Sequence, residues 1–197
     1  WKAIADPEKH VVVQTAPATR EGIGQEFDYE PGRINSGQMV AALKELGFDK
    51  VFDTDFTADL TIMEEGSEFL QRLEQGGTLP LITSCSPGWI NFIEYFYPNS
   101  LDNLSSCKSP QQMFGALTKT YYAEKFDLDP ANIISVSIMP CLAKKFEAGR
   151  PEMTDSGYAD VDYVLSVREL ARIIREAGID FAKLEEREYD DPLGIST

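Results

Sequence analysis

The sequence predicts an α/β fold with a mainly parallel sheet flanked by helices. Short runs rich in β-branched and aromatic residues alternate along the 197 residues with longer amphipathic runs of helical period. This alternation is typical of strand–helix–strand units, whose parallel strands are covered by helices. Glycine or proline marks most boundaries between the two kinds of segment. At 43% hydrophobic residues, the chain can bury one well-packed domain or one lobe of a larger domain.

The first half of the chain predicts two strands and two longer helices. Gly47 and the pair Gly76-Gly77 follow amphipathic runs, and glycine favours the left-handed conformation that ends many helices. The predicted elements are, in order, a strand at 11–15, the turn 16–18 with a short helix after it, a helix at 36–46, a strand at 50–53 and a helix at 56–73.

In the second half, Pro87 and Pro110 each suit the first turn of a helix, because that position needs no backbone N–H donor. Gly178 closes the last amphipathic run. The predicted elements are a strand at 79–83, a helix from 87, a helix from 109 to about 125, a strand at 133–138, a strand at 160–165 and a helix at 167–177.

Three turns at the carboxyl ends of predicted strands carry the residues of greatest chemical interest. They are the turn Ala16-Pro17, the turn Cys85-Ser86 and the residue Cys141. Open α/β sheets build their binding sites at this edge. The sequence therefore predicts one cleft formed by these three turns.

Composition excludes several classes of function. A net charge of −15 opposes binding to nucleic acid and to anionic membranes, and no apolar run is long enough to span a bilayer. The acidic stretch 185–191 is interpreted as solvated loop, with an acidic docking face as the alternative. His10 is the only histidine, so a Ser-His-Asp or Cys-His arrangement has no support.

Three cysteines are too few and too scattered for a secreted disulfide framework. Together with the lack of a recognisable secretory signal, they predict a cytoplasmic protein with free thiols. Cys141 alone is compatible with a buried structural thiol, but iron clusters need thiolate ligands, and Cys85 and Cys141 at adjacent turns supply two. Cys107 is interpreted as a packing thiol.

Three segments together carry a resemblance to a known family. They are 83–89 (TSCSPGW), 108–115 (KSPQQMFG) and 139–147 (MPCLAKKFE). In this order and spacing they resemble the first two signature motifs of the iron-only, or [FeFe], hydrogenases. The resemblance implies a catalytic domain of two α/β lobes, of which residues 1–197 are the N-terminal part. It predicts a compact lobe at 11–180 and an acidic connector at 181–197 toward a second lobe, which carries the family's third, cysteine-rich motif.

The resemblance also implies the cofactor, a [4Fe–4S] cluster joined to a diiron unit that carries CO, cyanide and a bridging dithiolate. Cys141 matches a ligand of the [4Fe–4S] cluster. In the family's first motif a proton-donor cysteine precedes a second ligand cysteine; here Cys85 matches the former, and Ser86 stands at the ligand position. Three alternatives remain open. Ser86 is a weak oxygen ligand, Cys85 turns to ligate the cluster, or the site is impaired.

Further positions match the surroundings of the diiron unit. Lys144 corresponds to the lysine that binds a cyanide ligand, a role that suits a compact cationic donor. Glu147, three residues later, is expected to hold Lys144 in place. The walls of the diiron site correspond to Ala16, Pro17, Pro110, Gln111 and Met139.

A charged helix face matches the family's proton pathway. Glu65, Glu68 and Arg72 occupy positions i, i+3 and i+7 of one predicted helix and so share a face. Taken alone, this is also the pattern of an exposed charged stripe. With Ser105 and Cys85 the two carboxylates match a proton relay, and Arg72 is placed to tune the carboxylate beside it.

The resemblance thus implies reversible proton reduction and dihydrogen oxidation by an oxidoreductase linked to ferredoxin or NAD(P). Electrons are expected from ferredoxin or from accessory iron–sulfur or flavin subunits, and maturation proteins are expected to install the diiron unit. The alternatives are a non-catalytic, hydrogenase-like iron–sulfur protein (an assembly factor or an H2 sensor) and an inactive apo fragment.

Overall fold

The computed structural model describes residues 1–191 and is built on a parallel sheet of four strands in the order β2-β1-β3-β4. The strands are β1 (His10–Thr15), β2 (Lys50–Asp53), β3 (Ile133–Met139) and β4 (Tyr163–Ser166). Each pairs in parallel with its neighbour, so all carboxyl ends lie at one edge. The predicted α/β class is confirmed.

Helices cover both faces of this sheet. Their bounds are α1 (Thr19–Gln25), α2 (Ser36–Leu46), α3 (Asp55–Gln75), α4 (Pro87–Phe96), α5 (Pro110–Leu117), α6 (Ala123–Lys125), α7 (Ala143–Ala148) and α8 (Val167–Glu176). Short 3-10 turns, which the sequence analysis did not predict, occur at Pro98–Asn103, Pro130–Asn132 and Phe181–Lys183.

The two faces of β1 belong to two hydrophobic clusters. Val11 and Val13 pack in the larger cluster with α2 and α8, whereas Val12 packs in the smaller one with Phe52 and Phe114. Successive side chains of a strand point to opposite faces, so a strand covered on both sides is apolar throughout. This explains the unbroken VVV run.

The predicted helix ends are confirmed where glycine supplies the left-handed conformation. Gly47 (φ 100°) ends α2, and Gly76 (φ 76°) ends α3. At the start of α8, Ser166 accepts a hydrogen bond from the backbone of Glu169, whose side chain binds back to the N–H of Ser166.

The predicted strand at 79–83 is wrong. Only Ile82 forms a β-bridge in this segment, with Leu104, and neither residue belongs to the sheet. Pro80 lacks a backbone N–H, and most of the segment is at least partly exposed, so it has neither the donors nor the burial of a sheet strand.

Two other elements differ in extent from the prediction. The helix expected from 109 to 125 is interrupted by a π-helical turn at Thr118–Tyr122, between α5 and α6. The strand expected from residue 160 begins at Tyr163. Just before it, the side chain of Asp162 accepts a hydrogen bond from the backbone N–H of Ser135 at 2.7 Å. This carboxylate takes the place of a backbone carbonyl in the hydrogen-bond ladder, and β4 begins at the next residue.

The described part of the acidic tail lies against the lobe. Phe181 is buried in the larger cluster, the N–H of Asp190 donates to the carbonyl of Val51 at 2.9 Å, and the Asp190 carboxylate accepts from Lys44 and Lys50. Residues 192–197, the rest of the predicted connector, lie outside the described residues. No helix within 1–191 is both long and apolar enough to cross a membrane.

A glycine in α5 gives a direct test of this packing. A Cβ added at Gly115 would stand 2.1 Å from the backbone oxygen of Asp160, which cannot withdraw as a flexible side chain can. We expect Gly115→Ala to lower the free energy of unfolding by about 3 kcal/mol in urea titration. The matched control is Gly66→Ala in α3, which meets no atom within 4 Å. It should raise stability by about 0.5–1 kcal/mol, and equal effects of the two changes would contradict the packing.

Candidate active site and metal centre

Both predicted ligand cysteines open onto one concave site at the carboxyl edge of the sheet. This site, here called the thiol cavity, has a volume of about 230 Å³ and contains Cys85 and Cys141 in its lining. Both thiols are free and exposed. The remaining lining residues are Ala16, Pro17, Thr54, Asp55, Ala58, Pro110, Gln111, Met139, Pro140 and Lys144.

Parallel topology explains why residues so far apart in sequence meet here. Ala16-Pro17 follows β1, and Pro140-Cys141 follows β3, its immediate neighbour in the sheet. Cys85 immediately precedes Ser86, the N-cap residue of α4, and Pro110 begins α5. The cavity thus contains residues from all three predicted turns, with the start of α5 as a fourth side. The prediction was wrong in one respect, because Cys85 does not follow a strand of the sheet.

A buried ion pair forms the polar side of the thiol cavity. The Lys144 ammonium lies 3.0 Å from Glu147 Oε2 and donates to the carbonyl oxygen of Cys85 at 2.8 Å. Glu147 is 4% exposed and also accepts from Ser109 Oγ (2.9 Å) and Gln111 Nε2 (3.1 Å). The expected pairing of Lys144 with Glu147 is present, and it fixes a cation at the cavity wall.

The two thiols of the cavity are suitable ligands for an iron–sulfur group, although they supply only part of a complete ligand set. Two accessible thiols face a largely apolar space, and Gln111 Oε1 is buried without a hydrogen-bond partner among residues 1–191. Iron–sulfur clusters of this kind take four ligands, mostly cysteine. Within the same described range no three ligating side chains form a metal-binding group. The cavity therefore fits one part of such a site.

Ser86 is placed differently from Cys85. It is the N-cap residue of α4, but its side chain forms no capping hydrogen bond, and it is exposed. Cys85 lines the thiol cavity, whereas Ser86 is absent from its described lining. The two neighbouring positions thus face different surroundings.

A second polar group, here called the Glu68 cluster, comprises Glu68, Arg72, Ser105, Ser106 and Cys107. Glu68 Oε1 accepts from Arg72 Nη2 at 2.6 Å, and Oε2 accepts from Ser105 Oγ at 2.8 Å. The backbone N–H of Ser106 donates to the same carboxylate at 3.1–3.2 Å. Three of the predicted relay residues are therefore in direct contact.

The environment of Glu68 favours its charged form. Burial opposes ionisation, but the hydrogen bonds from Ser105, Arg72 and the Ser106 backbone outweigh it and lower the pKa of Glu68. Glu65 lies on the same helix and forms no described contact with this cluster. Its Oε1 is buried without a hydrogen-bond partner among the described residues.

Sequence reasoning missed several neighbours of both groups. Thr54, Asp55 and Ala58 line the thiol cavity because β2 delivers the start of α3 to the same edge. Their place after a predicted strand was an available signal. By contrast, nothing in the sequence indicated that Cys107, interpreted as a packing thiol, would lie 3.8 Å from Glu68 Oε2.

A parallel α/β lobe with two free thiols and a lysine–glutamate ion pair at its carboxyl edge has part of the donor set of a thiol-ligated metal site. The chain belongs to the iron-only hydrogenase large-subunit family, since residues 9–197 match the model of that family's C-terminal domain.

Relatives of known structure and sequence agree with this assignment. The chain is 54% identical to the NADP-reducing hydrogenase subunit HndD of Solidesulfovibrio fructosivorans, covering 100% of this chain and 34% of that protein. It is 48% identical to the periplasmic [Fe] hydrogenase large subunit of Nitratidesulfovibrio vulgaris, covering 100% of this chain and 47% of that protein. A variant of the apo [FeFe]-hydrogenase HydA1 from Chlamydomonas reinhardtii superposes with a TM-score of 0.92 at 45% identity, over 100% of this chain and 52% of the other.

The chain thus spans about a third to a half of the length of these curated relatives. The alternative class is also represented, at lower similarity. The mouse cytosolic iron-sulfur assembly component 3 is 34% identical over 96% of this chain and 41% of that protein. The hydrogenase assignment is therefore better supported than the assembly-factor alternative.

Proposed function

We propose that this chain is the part of an [FeFe] hydrogenase catalytic domain that supplies two cluster-facing thiols and a proton relay. The observation that carries this proposal is the meeting of Cys85, Cys141 and the Lys144–Glu147 pair at one cavity. A cation held beside two thiols suits an anionic iron–sulfur group. An assembly factor has no evident need of the Glu68 cluster beside such a cavity.

Within this proposal, each wall of the cavity has a role. Cys141 would ligate the [4Fe–4S] cluster, and Lys144 would donate to a cyanide ligand of the diiron unit. When bound, the cluster supplies electron transfer and the site at which protons and dihydrogen interconvert. Five other residues would enclose the diiron unit and keep bulk water from it: Ala16, Pro17, Pro110, Gln111 and Met139.

The residues of this chain would also move protons. Glu68 takes up a proton at Oε2, the oxygen next to the Ser105 hydroxyl, while Arg72 holds Oε1. The unpartnered buried oxygen of Glu65 is a suitable next carrier, and the Cys85 thiol at the cavity is the terminal donor. Such a relay requires, at each position, a group that can gain and lose a proton or a hydroxyl that can rotate.

Several partners follow from the same proposal. Ile62, Met63, Leu70 and Leu73 are exposed on α3, and such an apolar surface suits coverage by the second lobe of the domain. Ferredoxin, or iron–sulfur and flavin subunits linked to NAD(P), would supply electrons, and maturation proteins would install the diiron unit. We assign the protein to the cytoplasm; fractionation of producing cells tests this, because one relative is periplasmic.

The test is to express the protein in its natural full-length context with hydrogenase maturation proteins. Iron content and H2 evolution from reduced methyl viologen are then measured. Evolution of H2 supports the proposal, and comparison of ferredoxin with NADPH identifies the donor. Iron without H2 turnover would contradict it and favour a non-catalytic iron–sulfur protein, while the absence of both would indicate an inactive apo protein.

Ser86 yields a separate prediction. A serine oxygen is a weaker ligand for iron than a thiolate, so we propose that the [4Fe–4S] cluster is held less tightly here than by a cysteine. Ser86→Cys is expected to raise the iron retained after chelator challenge and to slow cluster loss. The control is Ser84→Cys, two residues earlier, which adds a thiol at a position that matches no ligand of the family. Equal retention by wild type and Ser86→Cys would show that Ser86 is not at a ligand position.

A further inference from the structure

Cys107 contacts both the Glu68 carboxylate and the turn that carries Cys85. Its Sγ lies 3.8 Å from Glu68 Oε2, and its backbone N–H donates to Ser105 Oγ at 3.1 Å. Its carbonyl oxygen accepts from Ser84 Oγ at 2.7 Å, and Ser84 immediately precedes Cys85. One residue therefore ties the Glu68 cluster to the turn beside the thiol cavity.

The two oxygens of Glu68 differ in what surrounds them. Oε1 is bound by Arg72 through Nη2 (2.6 Å) and Nε (3.1 Å), and a guanidinium always donates and never accepts. Oε2 instead meets the Ser105 hydroxyl and the Cys107 thiol, which can each rotate and also accept a proton. The backbone N–H of Ser106 donates to both oxygens at similar distances, 3.2 Å to Oε1 and 3.1 Å to Oε2, so it does not distinguish them. A proton that reaches Glu68 is therefore favoured on Oε2.

The backbone of Cys107 also sets the direction of the serine hydroxyl. Because the Cys107 N–H donates to Ser105 Oγ, the serine's own proton is directed away from that donor and toward Glu68 Oε2. The resulting series of hydrogen bonds runs from the Cys107 N–H through the Ser105 hydroxyl to the Glu68 carboxylate. It orders the resting arrangement in which Glu68 is ionised.

The Cys107 thiol remains a donor in this arrangement. Burial raises its pKa; the hydrogen bond with Ser105 works against this, and the negative charges of Glu68, Glu65 and Glu64 add to the rise. A thiol is a weak hydrogen-bond donor and a weak acceptor. It can therefore orient the Glu68 carboxylate, and little hydrogen-bond energy is lost when that carboxylate becomes protonated. A hydroxyl at the same place would bind the charged form more strongly.

We infer that Cys107 is a positioning residue of the proton relay, whose weakly bonding thiol orients Glu68 Oε2 without holding that oxygen in its charged form. This inference rests on the proposed relay role of Glu68. The charged and titratable groups described around Glu68 are Arg72 and Cys107, with Glu64 and Glu65 on the same helix. Cys107 thereby acquires a role beyond packing.

The first test needs neither metal nor turnover. The S–H stretch of Cys107 is isolated as the infrared difference between the metal-free full-length protein and its Cys107→Val variant, which cancels every other thiol. We expect this band to move to higher frequency as the pH falls and Glu68 takes up a proton, and to lose that pH dependence in Glu68→Gln. A band that does not respond to pH, or that responds equally in Glu68→Gln, would overturn the inference.

The second test uses the matured enzyme and two opposite substitutions. Loss of the donor in Cys107→Ala should raise the pKa of Glu68, and the stronger donor in Cys107→Ser should lower it. The limb of the pH–rate profile due to Glu68 is therefore expected to move to higher pH in Cys107→Ala and to lower pH in Cys107→Ser. Ser67→Ala changes an exposed serine of α3 that lies outside the Glu68 cluster, so it should leave the profile unchanged.

The outcomes separate this inference from the proposed function. If the Glu68 limb of the pH–rate profile moved in the same direction in Cys107→Ala and Cys107→Ser, or moved in neither, Cys107 would have only a packing role. Either result would overturn the inference. If the infrared band titrates with Glu68 but the matured protein makes no H2, the positioning contact stands and the hydrogenase proposal fails. Thermal unfolding of each variant identifies any that have lost the fold, and Cys107→Val then replaces Cys107→Ala as the variant without a donor.

Discussion

Glu68→Gln is expected to lower H2 turnover of the matured full-length protein by about 100-fold or more while leaving its iron content unchanged. A positioned acid–base group contributes about 10²- to 10⁴-fold to rates that depend on proton transfer. The amide of glutamine keeps the shape of the side chain but cannot take up and release a proton. Turnover is measured with reduced methyl viologen, and iron is measured on the same sample.

The structure offers a matched control on the same helix. Glu74 is an exposed carboxylate of α3 outside the Glu68 cluster, so Glu74→Gln should keep nearly full activity. If Glu68→Gln retained more than half of the wild-type rate, protons would reach the metal by another route. A loss of iron together with activity would instead show that Glu68 supports the structure of the site.

Much of the site follows from the sequence because parallel topology is predictable. A strand at 11–15 and another at 133–138 place Pro17 and Cys141 at one edge wherever the two strands lie in the sheet, and the structure pairs them directly. Residues three or four apart on a helix share a face, so the contact of Glu68 with Arg72 also follows from spacing alone.

The misplaced features depend on tertiary context. The segment 79–83 has a strand-like composition, but its one bridge joins Ile82 to Leu104 outside the sheet. Composition reports how well a residue fits a strand and does not report which neighbour is available. Likewise, the contact of Cys107 with Glu68 spans 39 positions and depends on how the 104–109 segment folds over α3. No periodicity in the sequence encodes such a contact.

Lys144→Met is expected to lower the free energy of unfolding by about 3 kcal/mol, the largest stability effect among the variants of the site. The change keeps the aliphatic stem but leaves the Glu147 carboxylate, 5% exposed, without its cation. Removing one partner of a buried ion pair costs about 3–5 kcal/mol. The lower figure applies because Ser109 and Gln111 still donate to Glu147. Urea unfolding of the metal-free protein measures the change.

Two further variants decide whether pairing is the cause. Lys145→Met removes the adjacent lysine, whose ion pair with Glu169 is exposed on both sides, so its cost should be about 1 kcal/mol or less. In the double variant Lys144→Met with Glu147→Gln, the unpaired charge is gone and most of the lost stability should return. If the double variant were as unstable as Lys144→Met, the loss would come from packing at the cavity wall. The ion pair would then hold a cation beside Cys85 but contribute little to the free energy of unfolding.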